Sequence, residues 1–300
     1  MNGIAPPELI MGTAQLTARY GVAERRPSAP TTSEALQLLS FAASRGVTCF
    51  DTAAAYGASE QVLGQFAESR KHGAALQVIT KLRAPQTLAE WRNALQESLE
   101  RLHVRRLRGL LLHSSPQSRE LEIAMHQVVR EELRDRVGRY GVSVYTPGEA
   151  FRAIDSGLYD LLQIPANLLD QRFRRTGALQ RAREAGVAID VRSVFLQGLL
   201  TLDAGEIPGH LQPLAPFLAV AGGLAQSCGR SLPGLALAYA RDALGSAGIV
   251  VGMTSETEVE QNVAWWKSET LPLEIIERIH ELDTTSVEKL LDPRHWTREN

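Results

Sequence analysis

Short apolar runs alternate along this chain with longer segments whose apolar residues recur at i, i+3, i+4 and i+7. The runs at 9–13, 48–51, 77–80, 109–112, 137–144, 161–164, 187–193 and 248–252 read as strands. Between them, Thr32 or Ser33 is expected to cap a helix carrying Ala35, Leu38, Leu39 and Ala42, which Gly46 stops. Ser59 is expected to cap a second helix with Val62, Leu63 and Phe66 on one face. Thr87 and Glu90 form a capping box ahead of Leu88, Trp91, Leu95, Leu99 and Leu102, and Thr257 with Glu260 reads as another, ahead of Val259, Val263 and Trp266. Further helices are expected through Leu121, Met125 and Val128, after the TPGE at 146–149, and at 179–184, 217–226 and 235–242. The segment 271–300 reads as a C-terminal helix and tail, covering either the mouth or the side of the fold.

About eight strands alternating with helices predict an α/β fold, a (β/α)8 TIM barrel formed by a single domain over 1–300, with its active site at the C-terminal ends of the strands. An open doubly wound sheet is the competitor, and the lack of a GxGxxG after the first strand counts against it. The net charge of −2 and the absence of a polybasic run point away from nucleic acid and anionic membrane, and towards a small-molecule partner. Cys49 and Cys228 are far apart in sequence and no CxxC occurs, so neither a disulfide framework nor a metal site is expected. No apolar run approaches membrane-spanning length and the first residues lack the pattern of a signal peptide, so the chain is expected in the cytoplasm.

Chemistry collects at three successive strand ends: Asp51 ends the second strand with Tyr56 on the following loop, Lys81 follows the third and His113 the fourth. Taken singly, Asp51 reads as a turn residue, Tyr56 as a loop tyrosine and His113 as a satisfied histidine. Lysine is scarce, occurring only at Lys71, Lys81, Lys267 and Lys289, so Lys81 at a strand end carries more weight. Together the four suit proton transfer to a carbonyl oxygen. The Lys81 ammonium is expected to lower the pKa of the Tyr56 phenol, Asp51 to hold the ammonium, and His113 to orient the oxygen.

In the order LIMGT, RGVTCFDTAAAYGASEQVLG, VITK, SLERLHVRRLRGLLLH, GVS, LLQIPANLL and GMTSETEVEQN, the chain resembles the aldo-keto reductases over nearly its whole length. The resemblance implies that Asp51, Tyr56, Lys81 and His113 are a catalytic tetrad, with Tyr56 as general acid in reduction and base in oxidation. It implies NADP(H) or NAD(H) as cofactor and hydride transfer between nicotinamide C4 and an aldehyde or ketone, or the corresponding alcohol, a sugar-derived aldehyde being one candidate. Gly12 and Thr13 would approach the cofactor, Ser143 and Gln163 would hold its carboxamide, and Gly252, Met253, Thr254 and Ser255 with Glu258, Gln261 and Asn262 would take its far end.

Four departures from the family pattern bear on function. Val144 replaces an Asn, HSSP replaces a shorter HxP, and His103 and Arg108 stand where Gly and Asp are usual. Arg192 replaces an aromatic ring at the end of the seventh strand; its guanidinium is expected to stack on the nicotinamide, the alternative being that it turns aside to pair with an acid. Neither Gly252 nor Glu258 is basic, which weakens the expected preference for NADPH and lets NADH compete, although Glu258 also suits a helix N-terminus. Tyr20 and Phe195 are pocket candidates, with Trp91 a third only if its helix is misread; Arg19, Arg25 and Arg26 suit either an anionic substrate or a solvated loop. Two other functions stay open: a cofactor-binding regulatory or interaction subunit without turnover, and a cofactor-free lyase using Lys81 as a Schiff-base amine.

Overall fold

The computed structural model describes residues 6–24, 26, 28–69 and 76–296, so Arg25 and Lys71 lie outside the described residues. Eight parallel strands close into a barrel in sequence order: β1 (Glu8–Gly12), β2 (Cys49–Asp51), β3 (Gln77–Leu82), β4 (Leu107–Leu112), β5 (Val137–Ser143), β6 (Leu161–Pro165), β7 (Ala188–Arg192) and β8 (Gly248–Gly252). β8 pairs back onto β1 from Glu8↔Gly248 to Gly12↔Gly252, so the TIM barrel is the fold and the open sheet is excluded.

The period of two along each strand decides what faces the axis. Ile10, Cys49, Ile79, Leu111, Leu161 and Val250 form one small cluster inside the ring. Their strand neighbours Leu9, Met11, Phe50, Val78, Leu110, Leu112 and Leu162 join the larger core between sheet and helices. Two residues beyond Cys49, Ile79 and Leu161, the next inward positions are Asp51, Lys81 and Gln163, and on β7 the inward series Ala188, Asp190 ends in Arg192. Thus the alternation that packs the barrel also delivers polar side chains to one end of it.

The helices are α1 (Thr32–Ser44), α2 (Ser59–Ser69), α3 (Leu88–Leu102), α4 (Arg119–Glu131), α5 (Pro147–Ser156), α6 (Arg172–Arg175), α7 (Ala178–Glu184), α8 (Ala215–Ser227), α9 (Leu232–Ala243), α10 (Glu256–Trp266) and α11 (Leu273–His280). α1 buries Ala35, Leu38, Leu39 and Ala42, and α3 buries Trp91, Leu95, Leu99 and Leu102, as their spacing predicts, while Leu88 at the start of the α3 stripe is half-buried. Trp91 packs edge-on against Tyr140, away from the barrel mouth.

Three caps differ from expectation. Thr31, not Thr32 or Ser33, caps α1, because its reciprocal partner Glu34 lies three residues on. Ser255 rather than Thr257 caps α10, accepting from the Glu258 amide. Ser59 is the buried first residue of α2, and its hydroxyl donates to the Thr13 carbonyl at 3.0 Å, tying that helix to the end of β1.

After α11 the chain makes two 3-10 turns, Thr285–Leu291 and Pro293–His295. The Gln171 amide donates to the Ile279 carbonyl and the Thr284 hydroxyl to the Leu169 carbonyl, which fasten this segment beside the loop after β6. It then reaches the barrel rim, where the Arg294 guanidinium lies 3.7 Å from the centre of the Tyr145 ring. Among the described residues no helix is long and apolar enough to cross a membrane.

Candidate active site

At the C-terminal end of the barrel a cavity of about 900 Å³ opens between the strand ends and two long loops. The loop after β1 and the loop after β7 meet across it. The Val22 amide donates to the Gln197 carbonyl at 2.9 Å, and the Gln197 side-chain amide donates to the Tyr20 hydroxyl at 2.9 Å. Gly21 has φ +98° at this crossing, and a Cβ there would stand 2.7 Å from the Gln197 carbonyl oxygen, so only glycine lets the two backbones touch. Tyr20 and Phe195 line the cavity and Trp91 does not.

Asp51, Tyr56, Lys81 and His113 converge on this cavity. Lys81 lies inside β3 rather than just beyond it, opposite Leu111 of β4. Its ammonium donates to Asp51 Oδ1 at 2.5 Å and to the Thr52 carbonyl at 2.8 Å, and stands 5.2 Å from the centre of the Tyr56 ring. The His113 ring meets Tyr56 edge-on, with centres 6.0 Å apart. The other Asp51 oxygen accepts from Gln163 Nε2 at 2.7 Å, so the carboxylate joins β2, β3 and β6 across the barrel axis.

The electrostatics correct one expectation. Burial pushes the Tyr56 phenol above its ordinary value of 10, Asp51 adds to the rise and Arg192 opposes it. Burial lowers the Lys81 pKa, against the pull of Asp51. Because ammonium and carboxylate form a compact neutral pair, Lys81 offers the phenol little net charge, and desolvation wins. Tyr56 is therefore held as a protonated acid. Burial also lowers His113 to about 4, with the Lys81 charge acting in the same direction, so its imidazole is neutral at pH 7.

Of the residues expected to meet a dinucleotide, Gly12, Thr13, Ser143, Gln163, Arg192, Gly252, Thr254, Glu258, Gln261 and Asn262 all line the cavity. Met253 instead belongs to the buried core, and Ser255 serves as the α10 cap. Two buried acceptors there have no partner among the described residues: Gln163 Oε1, near Ser143, and Asn262 Oδ1 on α10. Asn262 uses its Nδ2 on the Glu258 carbonyl at 2.8 Å, which fixes the amide with its oxygen free. An unpartnered acceptor in a cavity wall is suited to a donor on a bound molecule. Gly252 is pressed against Gln15, where a Cβ would stand 2.3 Å from Gln15 Oε1, keeping the floor flat at that point.

Glu258 does more than favour a helix end. Its carboxylate accepts from the Thr254 amide at 2.7 Å and the Thr254 hydroxyl at 3.0 Å, and so occupies the anion-binding corner of that turn. Arg192 does not turn aside to an acid: its guanidinium lies 4.3 Å from the centre of the Tyr145 ring, and no carboxylate among the described residues pairs with it. Tyr145, Gln15 and Gln197 are cavity residues that sequence reasoning missed, since each sits in a loop without periodic signal.

Comparison with known proteins gives the family and the fold. The profile of the Aldo/keto reductase family matches residues 8–284, and the chain belongs to that family. As a member it is an NAD(P)H-dependent oxidoreductase. A search of curated protein sequences finds no match. Among solved structures, an aldo-keto reductase from Bacillus halodurans in its holo form has a TM-score of 0.73 at 20% identity, with 91% of this chain and 91% of that chain covered. The glycerol dehydrogenase of Gluconobacter oxydans has a TM-score of 0.73 at 18% identity, covering 97% and 95%. An aldo-keto reductase from Klebsiella pneumoniae, in complex with NADPH, has a TM-score of 0.70 at 21% identity, covering 92% and 90%. At these identities the likeness is one of fold.

Proposed function

We propose that the chain reduces an aldehyde or ketone, or oxidises the corresponding alcohol, with Tyr56 as the proton-transferring group. The observation that carries this reading is the buried Asp51–Lys81 pair beside a protonated phenol, in a cavity with an open acceptor, Gln163 Oε1, next to it. The dinucleotide matches the two open acceptors, because its carboxamide and its adenine each carry an amino group, one at either end of the molecule. Gln163 with Ser143 would hold the carboxamide, and Asn262 would take the adenine amino group. When bound, the reduced cofactor supplies the hydride that goes to the carbonyl carbon.

The chain's own residues do the rest. Tyr56 donates its proton to the carbonyl oxygen as negative charge grows there; its raised pKa is no obstacle, because an alkoxide is a stronger base than the phenolate left behind. Neutral His113 can donate a hydrogen bond to the same oxygen without competing as a cation. Lys81 is fixed by Asp51 and the Thr52 carbonyl with its ammonium 5.2 Å from the centre of the Tyr56 ring, a position that holds the neutral ion pair next to the phenol. With its ammonium so enclosed, Lys81 is poorly placed to form a Schiff base. At the other end of the cavity, Glu258 on the Thr254 turn favours a ribose hydroxyl over a 2′-phosphate, so NADH competes with NADPH.

The test is Tyr56→Phe in a panel of aldehydes, with dinucleotide affinity measured by nicotinamide fluorescence. Affinity should persist while turnover falls on the order of 10²- to 10⁴-fold. Undiminished turnover would remove Tyr56 from the chemistry, and dinucleotide binding without turnover of any carbonyl by the unaltered protein would favour a binding subunit.

A further inference from the structure

Among the described residues, the cations that line the cavity are matched or exposed, with one exception. Arg26 pairs with Glu24, Lys81 pairs with Asp51, and Arg19 is exposed on the loop after β1. Arg192, the last residue of β7, is half-buried and has no carboxylate partner among the described residues. Its hydrogen bonds, to Ser193 Oγ at 3.3 Å and to the Val144 carbonyl at 3.4 Å, are long.

The side chain is nevertheless held in place. One contact is the Tyr145 ring, which Arg294 also covers, and the charge of Arg294 is itself answered by Asp292. Among the described residues that line the cavity, Arg192 is therefore the half-buried cation left without a counter-charge: the Lys81–Asp51 pair is neutral, and His113 is neutral at pH 7. Arg192 acts electrostatically on Tyr20, Tyr56, Lys81 and His113 alike, which places it among the reacting groups. A partly desolvated cation without a counter-charge is unfavourable, and an arriving anion relieves it.

We propose that Arg192 receives a carboxylate or phosphate on the carbonyl substrate, so that the enzyme selects anionic carbonyl compounds over neutral ones. This rests on the hydride-transfer reading above and names its substrate class. A guanidinium fork suits either anion, and a pre-positioned fork gives up little entropy on engaging it.

The experiment compares kcat/KM for benzaldehyde with its 2-, 3- and 4-carboxy derivatives, and for glyceraldehyde with its 3-phosphate, in the unaltered protein, Arg192→Gln and Arg192→Lys. Dinucleotide affinity is measured for each protein. At least one charged compound should be preferred over its neutral partner on the order of 10- to 100-fold. That preference should collapse in Arg192→Gln and largely survive in Arg192→Lys. The two compound series separate a carboxylate requirement from a phosphate one. Salt gives a reading without mutation: raising ionic strength should lower the preference in the unaltered protein. Equal turnover of charged and neutral partners overturns the proposal. So does an unchanged preference in Arg192→Gln, and weaker dinucleotide binding beside it would give Arg192 to the cofactor. Turnover of the neutral aldehydes reports separately on hydride transfer, and if no carbonyl is turned over both readings fall.

Discussion

Asp190→Asn should make the protein more stable at neutral and alkaline pH. Asp190 faces the barrel axis two residues before Arg192, and both of its carboxylate oxygens are buried without a partner. β8 presses on it, since a Cβ at Gly248 would stand 2.6 Å from Asp190 Oδ1. The nearby Arg108 is engaged by Glu8 at 2.8 Å. Burial therefore dominates and raises the Asp190 pKa from 3.8 to about 6, with Arg108 opposing. A folded pKa above the unfolded one means that the group's contribution to stability is complete below 3.8 and is lost as pH rises through 6. The gap between 3.8 and about 6 corresponds to roughly 3 kcal/mol above pH 7. Asparagine keeps the shape and cannot ionise. Denaturation should show the variant gaining up to about 3 kcal/mol, on the order of 5 °C in Tm, at pH 8, and little at pH 4. His113 titrates in the opposite sense: its folded pKa of about 4 lies below 6.5, so it costs stability as pH falls through that window. Because His113 is present in both proteins, the difference between the two pH profiles isolates Asp190. A difference that does not grow between pH 4 and 7 would refute the reasoning.

The layer that holds Asp51, Lys81 and Gln163 was readable from sequence because two periods coincide there. Short apolar runs set the strands, and the period of two then forces Asp51 and Lys81 to the same inward side as Cys49 and Ile79. Gln163 follows from Leu161 by the same step, though its bond to Asp51 across the axis depends on barrel closure. Caps were harder because two frames overlap: in the TSETEVE segment Ser255 with Glu258 and Thr257 with Glu260 both fit the capping pattern, and the structure uses the first. The crossing of Tyr20, Gly21 and Val22 with Gln197 joins loops about 175 residues apart, and no local pattern encodes it. The direction of the Tyr56 pKa was missed for a related reason. Charge can be counted along a chain, but desolvation depends on how the cavity closes, and here it outweighs the ammonium. Arg192 was noticed as a departure, yet its partner, Tyr145, became visible only when β5 and β7 were brought to one rim.

Further substitutions test the cavity's two ends. Glu258→Gln should tilt binding towards NADPH: a carboxylate and a phosphate of charge about −2 at about 7 Å repel by about 1 kcal/mol even with water-like screening, so the NADPH-to-NADH affinity ratio should rise about fivefold in paired titrations. An unmoved ratio would mean that the 2′-position lies elsewhere. At the end that holds the ion pair, Lys81→Met leaves the Asp51 carboxylate buried with, among the described residues, only Gln163 to answer it, and should cost about 3–5 kcal/mol of stability. Asp51→Asn leaves the Lys81 ammonium similarly unmatched. The double variant removes both charges at once, so its loss should fall at least about 2 kcal/mol short of the sum of the single losses. Chemical denaturation of the four proteins measures that coupling directly. Additivity within about 0.5 kcal/mol would show that the two groups do not hold each other, and the fixed ammonium beside Tyr56 would lose its physical basis.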